Sequence, residues 1–276
     1  MRVRRSICRV NQDVEAAVDR LAGLRRIGID EISYKRGQRD LIVVVDHDTG
    51  RLVWVGPGRS EAALNRFFDE LGDGRAAELT HVSADMADWI AKTVARRAPN
   101  AVRCADPFHV VAWAIEALDV ERRRAWNQAK GRKIPASPGR RERTTGDSRQ
   151  VARSRYALWK NPDDLNTRQR HQLDWIAKTD PRLWRANLLK EGLRYVFATK
   201  GDEGKDALDR WLSWARRSQL ESFIPLAKRI TKHREAIDAN LEHGLSQGLI
   251  ALGSHPPQLP GRNCPTHTAG ERDMCG

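Results

Sequence analysis

Cysteine is scarce in this chain: four among 276 residues, at positions 8, 104, 264 and 275. No two form a C-x-x-C pair, so neither a zinc cluster nor a disulfide framework can be read from them. Cys104 stands in an apolar stretch and reads as a plain buried thiol rather than a reactive one. Long apolar runs are missing too. A run such as LIVVV at 41–45 is far too short to cross a bilayer. The basic N-terminus MRVRRSICRV lacks the apolar stretch of a secretory signal. No membrane association and a cytoplasmic address are therefore expected. No internal repeat is visible, which sets solenoids aside. What remains, 40% hydrophobic and 31% charged residues, suits a globular protein with a substantial core.

The net charge of +13 is unevenly spread. Residues 1–118 are nearly balanced, with 18 basic and 17 acidic side chains, whereas 121–160 hold 13 basic and 3 acidic ones. A block of that kind neutralises phosphates and releases their counterions, which points to nucleic acid. A solvated loop that only keeps the protein soluble is the competing reading. The candidate DNA-contacting cations are Arg122, Arg123, Arg124, Lys130, Arg132, Lys133, Arg140, Arg141 and Arg143.

Periodicity divides the chain. Residues 25–34 alternate around Ile27 and Ile29, 41–45 are a β-branched run, and 51–55 form the returning arm of a hairpin across His47-Asp48-Thr49-Gly50. Ser60 is placed to cap a helix whose apolar face is Ala63, Leu64, Phe67, Phe68 and Leu71. A strand at 79–84, a helix through Trp89, Ile90 and Val94, and a strand at 101–105 follow. The order βββαβαβ is that of a ribonuclease H-like mixed α/β sheet. From about Val110 the pattern is helical, with a basic loop at about 121–160 broken by Pro135, Pro138 and several glycines. Later helices are expected over 206–217 and, continuously, over 222–241. After Gly244, prolines at 256, 257, 260 and 265 leave no room for a long helix, and 261–276 read as a disordered tail. The expected divisions are an N-terminal segment at 1–24, the core at 25–112, an all-helical insertion at 113–243, and a C-terminal end at 244–276.

Three acidic positions stand out. Asp30 lies inside an apolar strand, IGIDEIS, where a carboxylate needs a metal, a partner or water, unless that face is exposed. Asp85 follows the fourth strand in HVSADMADWI, where it is equally suited to cap the next helix. In a ribonuclease H-like sheet the first strand and the end of the fourth are neighbours. Carboxylates placed there can share divalent cations for phosphodiester cleavage. Asp106 and His109, three apart in RCADPFHVV, follow the fifth strand and either support that site or bond locally. Trp175, Trp184, Trp211 and Trp214 read as core filling of the helical region rather than base-stacking platforms.

The stretches IGIDEIS, LIVVVDHDTGRLVW, HVSADMADWI, AVRCADPFHVV, RYALWKNPDDL and WIAKTDPRLWRANLLKEGLR resemble the ISL-three family of bacterial insertion-sequence transposases, from residue 25 to about 248. The resemblance implies an Asp-Asp-Glu nuclease core with a large helical insertion ahead of the Glu-bearing helix. It implies Asp30 and Asp85 as the first two catalytic acids and ligands of Mg²⁺ (or Mn²⁺). Asp106 and His109 match the family's Asp-x-x-His element. DNA, as element ends and as target, is the implied partner, together with a second copy or an intact transposase as oligomer.

Two departures shape the expectation. The family's N-terminal zinc-binding and helix-turn-helix segments have no counterpart here. HGLSQGLI runs directly into ALGSHPPQLPGR, where the family has its Glu-bearing helix. Beyond Gly244 the only acids are Glu271 and Asp273, and Glu242 is the nearest fallback for the third carboxylate. The chain is expected to be a transposase core without a complete catalytic triad, or alternatively a non-enzymatic DNA-binding or oligomerising fragment that inhibits an intact transposase.

Overall fold

The computed structural model describes residues 19–33, 40–131 and 146–245. Three antiparallel strands come first: β1 (Arg26–Ser33), β2 (Asp40–Asp46) and β3 (Leu52–Pro57). The expected turn joins β2 to β3. Asp46 accepts from Asp48 N at 3.0 Å and from Thr49 Oγ1 at 2.6 Å, and Gly50 takes a φ of 68° that suits glycine.

Helix α1 (Glu61–Leu71) starts where Ser60 accepts from Ala63 N at 3.3 Å, and it buries the five apolar residues expected on its inner face. Phe67 and Phe68 are fully buried. Truncating either to alanine costs about 3–5 kcal/mol in such a setting. A short helix without a sequence signal, α2 (Asp73–Ala76), leads to β4 (His81–Ala84), followed by α3 (Asp88–Arg97) and β5 (Val102–Ala105). The sheet order is β3-β2-β1-β4-β5, with β1, β4 and β5 mutually parallel. This α/β sheet is compatible with a ribonuclease H-like transposase core. Ile27, Ile29, Ile42, Val44 and Val82 line one sheet face and pack with α1 and α3 in the first hydrophobic cluster.

The remainder of the described chain is helical: α4 (Pro107–Gly131), α5 (Gly146–Arg153), α6 (Arg155–Trp159), a 3₁₀ turn (Pro162–Asp164), α7 (Thr167–Thr179), α8 (Pro181–Ala198), α9 (Gly201–Arg217), α10 (Phe223–Lys232) and α11 (Arg234–His243). A second hydrophobic cluster binds them together, running from Ala105 through Val110 to Leu241. The helical region leaves the sheet from β5 through α4, and α11 brings the chain back against β5. Among the described residues no helix is long and apolar enough to cross a membrane.

Two expectations change. The single helix over 222–241 is two helices, meeting at His233 with φ −103° and ψ 18°. Phe223, Leu226 and Ile230 serve the α4 and α9 side, while α11 must lie on β5, and one straight helix cannot present its stripe to both. The basic block is no loop at its ends, because residues 121–131 continue α4 and 146–159 form α5 and α6. Arg132, Lys133, Arg140, Arg141 and Arg143 lie outside the described residues, as do most of 1–24, the tail after 245, Cys8, Cys264 and Cys275.

Candidate carboxylate site

Register decides which side chains share a face. Gly28 pairs with Ser83, and Ser83 pairs with Cys104, in one row across β1, β4 and β5. Two residues further along each strand come Asp30, Asp85 and Asp106. Side chains alternate with a period of two, so all three carboxylates belong to the face opposite Ile29 and Ala84. The ladder continues into this row, with Asp106 N donating to Ala84 O at 3.1 Å.

Asp85 does not cap the helix that follows. α3 begins at Asp88, its cap position is Ala87, and Asp85 Oδ1 instead accepts from Met86 N at 2.6 Å. Asp30 Oδ1 accepts from Glu31 N at 2.7 Å. Asp106 does bond locally: Oδ1 accepts from Phe108 N at 3.2 Å and Oδ2 meets His109 Nδ1 at 2.9 Å. The other nitrogen of the same imidazole faces the first strand, with His109 Nε2 4.0 Å from Asp30 Oδ1. Asp106 is buried, Asp30 and Asp85 are half-buried, and the cluster is reachable from solvent.

The electrostatics follow from this crowding. Burial raises the Asp30 carboxyl above the ordinary aspartate range; the Glu31 amide and His109 oppose the shift, and the charges of Asp106 and Asp85 add to it. His109 is held above the usual histidine value, first by its bond to Asp106, against the pull of burial, and with help from Asp85.

Sequence reasoning passed over Glu31 and Arg59. Period two puts Glu31 on the side of Ile27 and Ile29, and a carboxylate on that apolar face was the available signal. Its Oε2 forms an ion pair with Arg59 Nε, while Oε1 is buried without a hydrogen-bond partner. Burial raises the Glu31 carboxyl, Arg59 opposes that, and the Asp85 and Asp30 charges reinforce it.

Hard carboxylate oxygens under mutual repulsion are the donor chemistry that suits a divalent cation such as Mg²⁺. In that respect Asp30 and Asp85 fit one. In number they fall short: among the described residues no group of three or more His, Cys, Asp or Glu is arranged to hold a metal. Glu242 is not brought to this place. It is exposed on α11 and bonded to Lys205 Nζ at 3.2 Å, an interaction that lowers its carboxyl. The ring of its neighbour His243 lies 4.3 Å from that of His81, which opens β4. Asp85 follows the other end of that strand, roughly 13 Å along it.

Of the described basic candidates, Arg122 is nearly buried and bonded to Asp119 at 2.7 Å, and Arg123 reaches the same carboxylate at 3.2 Å. Arg124 faces Glu221 at 3.5 Å, and Lys130 Nζ lies 5.1 Å from the centre of the Trp126 ring. Trp211 is buried and donates to Leu189 O at 2.7 Å, while Trp175, Trp184 and Trp214 pack against the helical cluster, the core-filling role expected of them.

A family model described as a transposase, of the ISL3 type, matches residues 27–250. The chain belongs to the ISL3 family of insertion-sequence transposases. That match runs from β1 to just past α11 and so contains the whole carboxylate row. The transposase for insertion sequence element IS1557 of Mycobacterium tuberculosis, in two strains, is 60% identical over 258 residues, covering 88% of this chain and 57% of the relative. The transposase for insertion sequence element IS1001 of Bordetella parapertussis is 27% identical over 226 residues, covering 81% of this chain and 53% of the relative. The chain thus spans about half the length of the transposases it matches.

Proposed function

We propose that this chain is the carboxylate core of a Mg²⁺-dependent DNA transposase, built to bind DNA beside Asp30 and Asp85, and that it does not by itself complete strand cleavage and transfer. The observation that carries the reading is the placement of Asp30 and Asp85 two residues beyond a paired position on adjacent parallel strands, on one face.

In this reading Asp30 and Asp85 hold the divalent cation. When bound, such a cation polarises the phosphodiester and makes a bound water or hydroxyl a better nucleophile. Asp106 fixes the imidazole of His109 through Nδ1, leaving Nε2 to face Asp30 and to steady its carboxylate. The basic stretch around 121–160 holds the DNA backbone, chiefly through cations not committed to an internal partner. A third carboxylate is required to complete coordination and orient the nucleophile. Glu242, tied to Lys205 at the far end of β4, does not supply it. That separation also favours the second reading, in which the chain binds DNA or an intact transposase and inhibits without cleaving.

Mn²⁺ titration followed by electron paramagnetic resonance tests the site directly. Weak binding is expected in the parent chain and in Glu242→Gln, and none in Asp30→Asn or Asp85→Asn. Equal binding in all four proteins would remove the assignment.

A further inference from the structure

We propose that Arg59, positioned by Glu31, takes a backbone phosphate of the DNA that reaches the carboxylate site. The inference rests on the DNA-binding reading above and assigns a residue to it.

Topology puts Arg59 at the right end of the sheet. Glu31, Ile42 and Gly56 form one row across β1, β2 and β3. Because β2 is antiparallel to both neighbours, β3 runs the same way as β1, β4 and β5. The loop after β3 therefore leaves from the sheet edge that carries Asp30, Asp85 and Asp106.

The loop is held by its surroundings. Gly58 N donates to Asp40 O at 2.8 Å, its φ of 107° favours glycine, and Arg66 donates to Pro57 O. Ser60 then caps α1, so Arg59 is fixed between a tethered glycine and a helix start. The pair is asymmetric in burial. The Glu31 carboxylate is 12% exposed and the Arg59 side chain 58% exposed. The closest contact to Glu31 is at Nε, and a largely exposed guanidinium fork of that kind matches a phosphate.

The chemistry of the neighbourhood calls for such a group. Asp30, Asp85, Asp106 and Glu31 would repel an incoming phosphodiester, and a fixed cation on the rim offsets that repulsion where the strand must pass. Glu31 follows Asp30 directly at the same end of β1, so its partner Arg59 stands at the sheet edge that carries the carboxylates. Glu31 is a positioning residue in this scheme: it aims the guanidinium and touches no DNA.

The test uses the full chain, a short mixed-sequence DNA duplex, and Ca²⁺ in place of Mg²⁺ so that binding is read apart from turnover. Arg59→Ala, and the double variant Arg59→Ala/Glu31→Gln that leaves no unpaired carboxylate, should both bind on the order of ten-fold more weakly at low salt. In both, the slope of log affinity against log salt should also be shallower by about 0.9, the signature of one phosphate. Arg59→Lys should keep the slope and part of the affinity. Phenylglyoxal labelling of Arg59, read by mass spectrometry, should be blocked by the duplex. If the double variant binds like the parent with an unchanged slope, and Arg59 labels equally with and without DNA, the arginine only neutralises Glu31 and the proposal fails. A parent chain that binds no duplex at all overturns the DNA-binding reading itself, and this inference with it.

Discussion

Asp106 Oδ2 meets His109 Nδ1 at 2.9 Å, and the same imidazole turns Nε2 to within 4.0 Å of Asp30. One ring thus links a buried carboxylate to a half-buried one across two strands that are not neighbours. Asp106→Asn keeps an acceptor in place but weakens the hydrogen bond that does most to raise the His109 imidazole, and removes the Asp106 charge as well. The His109 titration, followed by NMR of the ring protons, should move down toward the ordinary histidine range. An unchanged titration would mean that the charges of Asp85 and Asp30 set it instead.

Lys190 offers a pH dependence with a definite sign. It is fully buried, donates to Leu158 O at 2.6 Å and pairs with Glu191. Burial pushes its ammonium from 10.5 down to about 8, against the pull of Glu191. Between those values the unfolded chain holds the proton and the folded chain has released it, so stability rises with pH across the window. The slope is at most about 1.4 kcal/mol per pH unit. Urea unfolding on either side of pH 8 should show the rise, and Lys190→Met should flatten it. A parallel rise in the methionine variant would place the effect on other groups.

The DNA-holding role proposed for the basic stretch can be tested at three of its arginines. Replacing Arg140, Arg141 and Arg143 by alanine should weaken binding to every DNA sequence alike and reduce the salt slope by up to about 0.9 for each phosphate that is no longer neutralised. Arg122→Ala, by contrast, should leave the slope unchanged and lower stability, because its guanidinium is spent on Asp119. Fluorescence anisotropy with duplexes of unrelated sequence distinguishes the two. An unaltered affinity in the triple variant would return the segment to a solubilising role.

The incomplete acid set proposed above should be visible in turnover. The purified chain with Mg²⁺ or Mn²⁺ is expected to leave supercoiled DNA un-nicked above background, and Glu242→Gln should change nothing. Placing a Glu-bearing helix of the family kind after Ile250 should restore nicking that depends on Asp30. Nicking by the chain as it stands, abolished in Asp30→Ala, would show that the acid is supplied from somewhere else.

Much of the sheet was legible because its strands carry simple periods. The alternation around Ile27 and Ile29, the β-branched run at 41–45 and the Asp-Thr-Gly turn each fix a local conformation without help from afar. α1 was readable down to its cap, since Ser60 and five apolar residues at helical spacing leave little choice. The break at His233 was not, because it arises from two distant partners competing for one amphipathic stripe. The adjacency of Asp30 and Asp85 could be anticipated from strand order, whereas the arginines at 122–124 could not be sorted by charge alone. Their pairing with Asp119 and Glu221 depends on helical spacing and on a loop far along the chain. Glu31 was hidden by its neighbour: beside Asp30 it looks like more of the same, and only the pleat separates their surroundings.

That pleat also limits how the site can vary. β1 is locked between an antiparallel and a parallel neighbour, so its position relative to β4 is quantised in whole residues. A slip by one residue would bring Ile29 or Glu31 to the place of Asp30 and turn the carboxylate into the apolar layer. A slip by two would bring Gly28 or Ile32 there and leave no ligand at all. Intermediate settings do not exist, so this strand offers no graded adjustment of the distance between Asp30 and Asp85. Whatever tuning the site admits must come from side-chain rotamers and from the loops that end each strand.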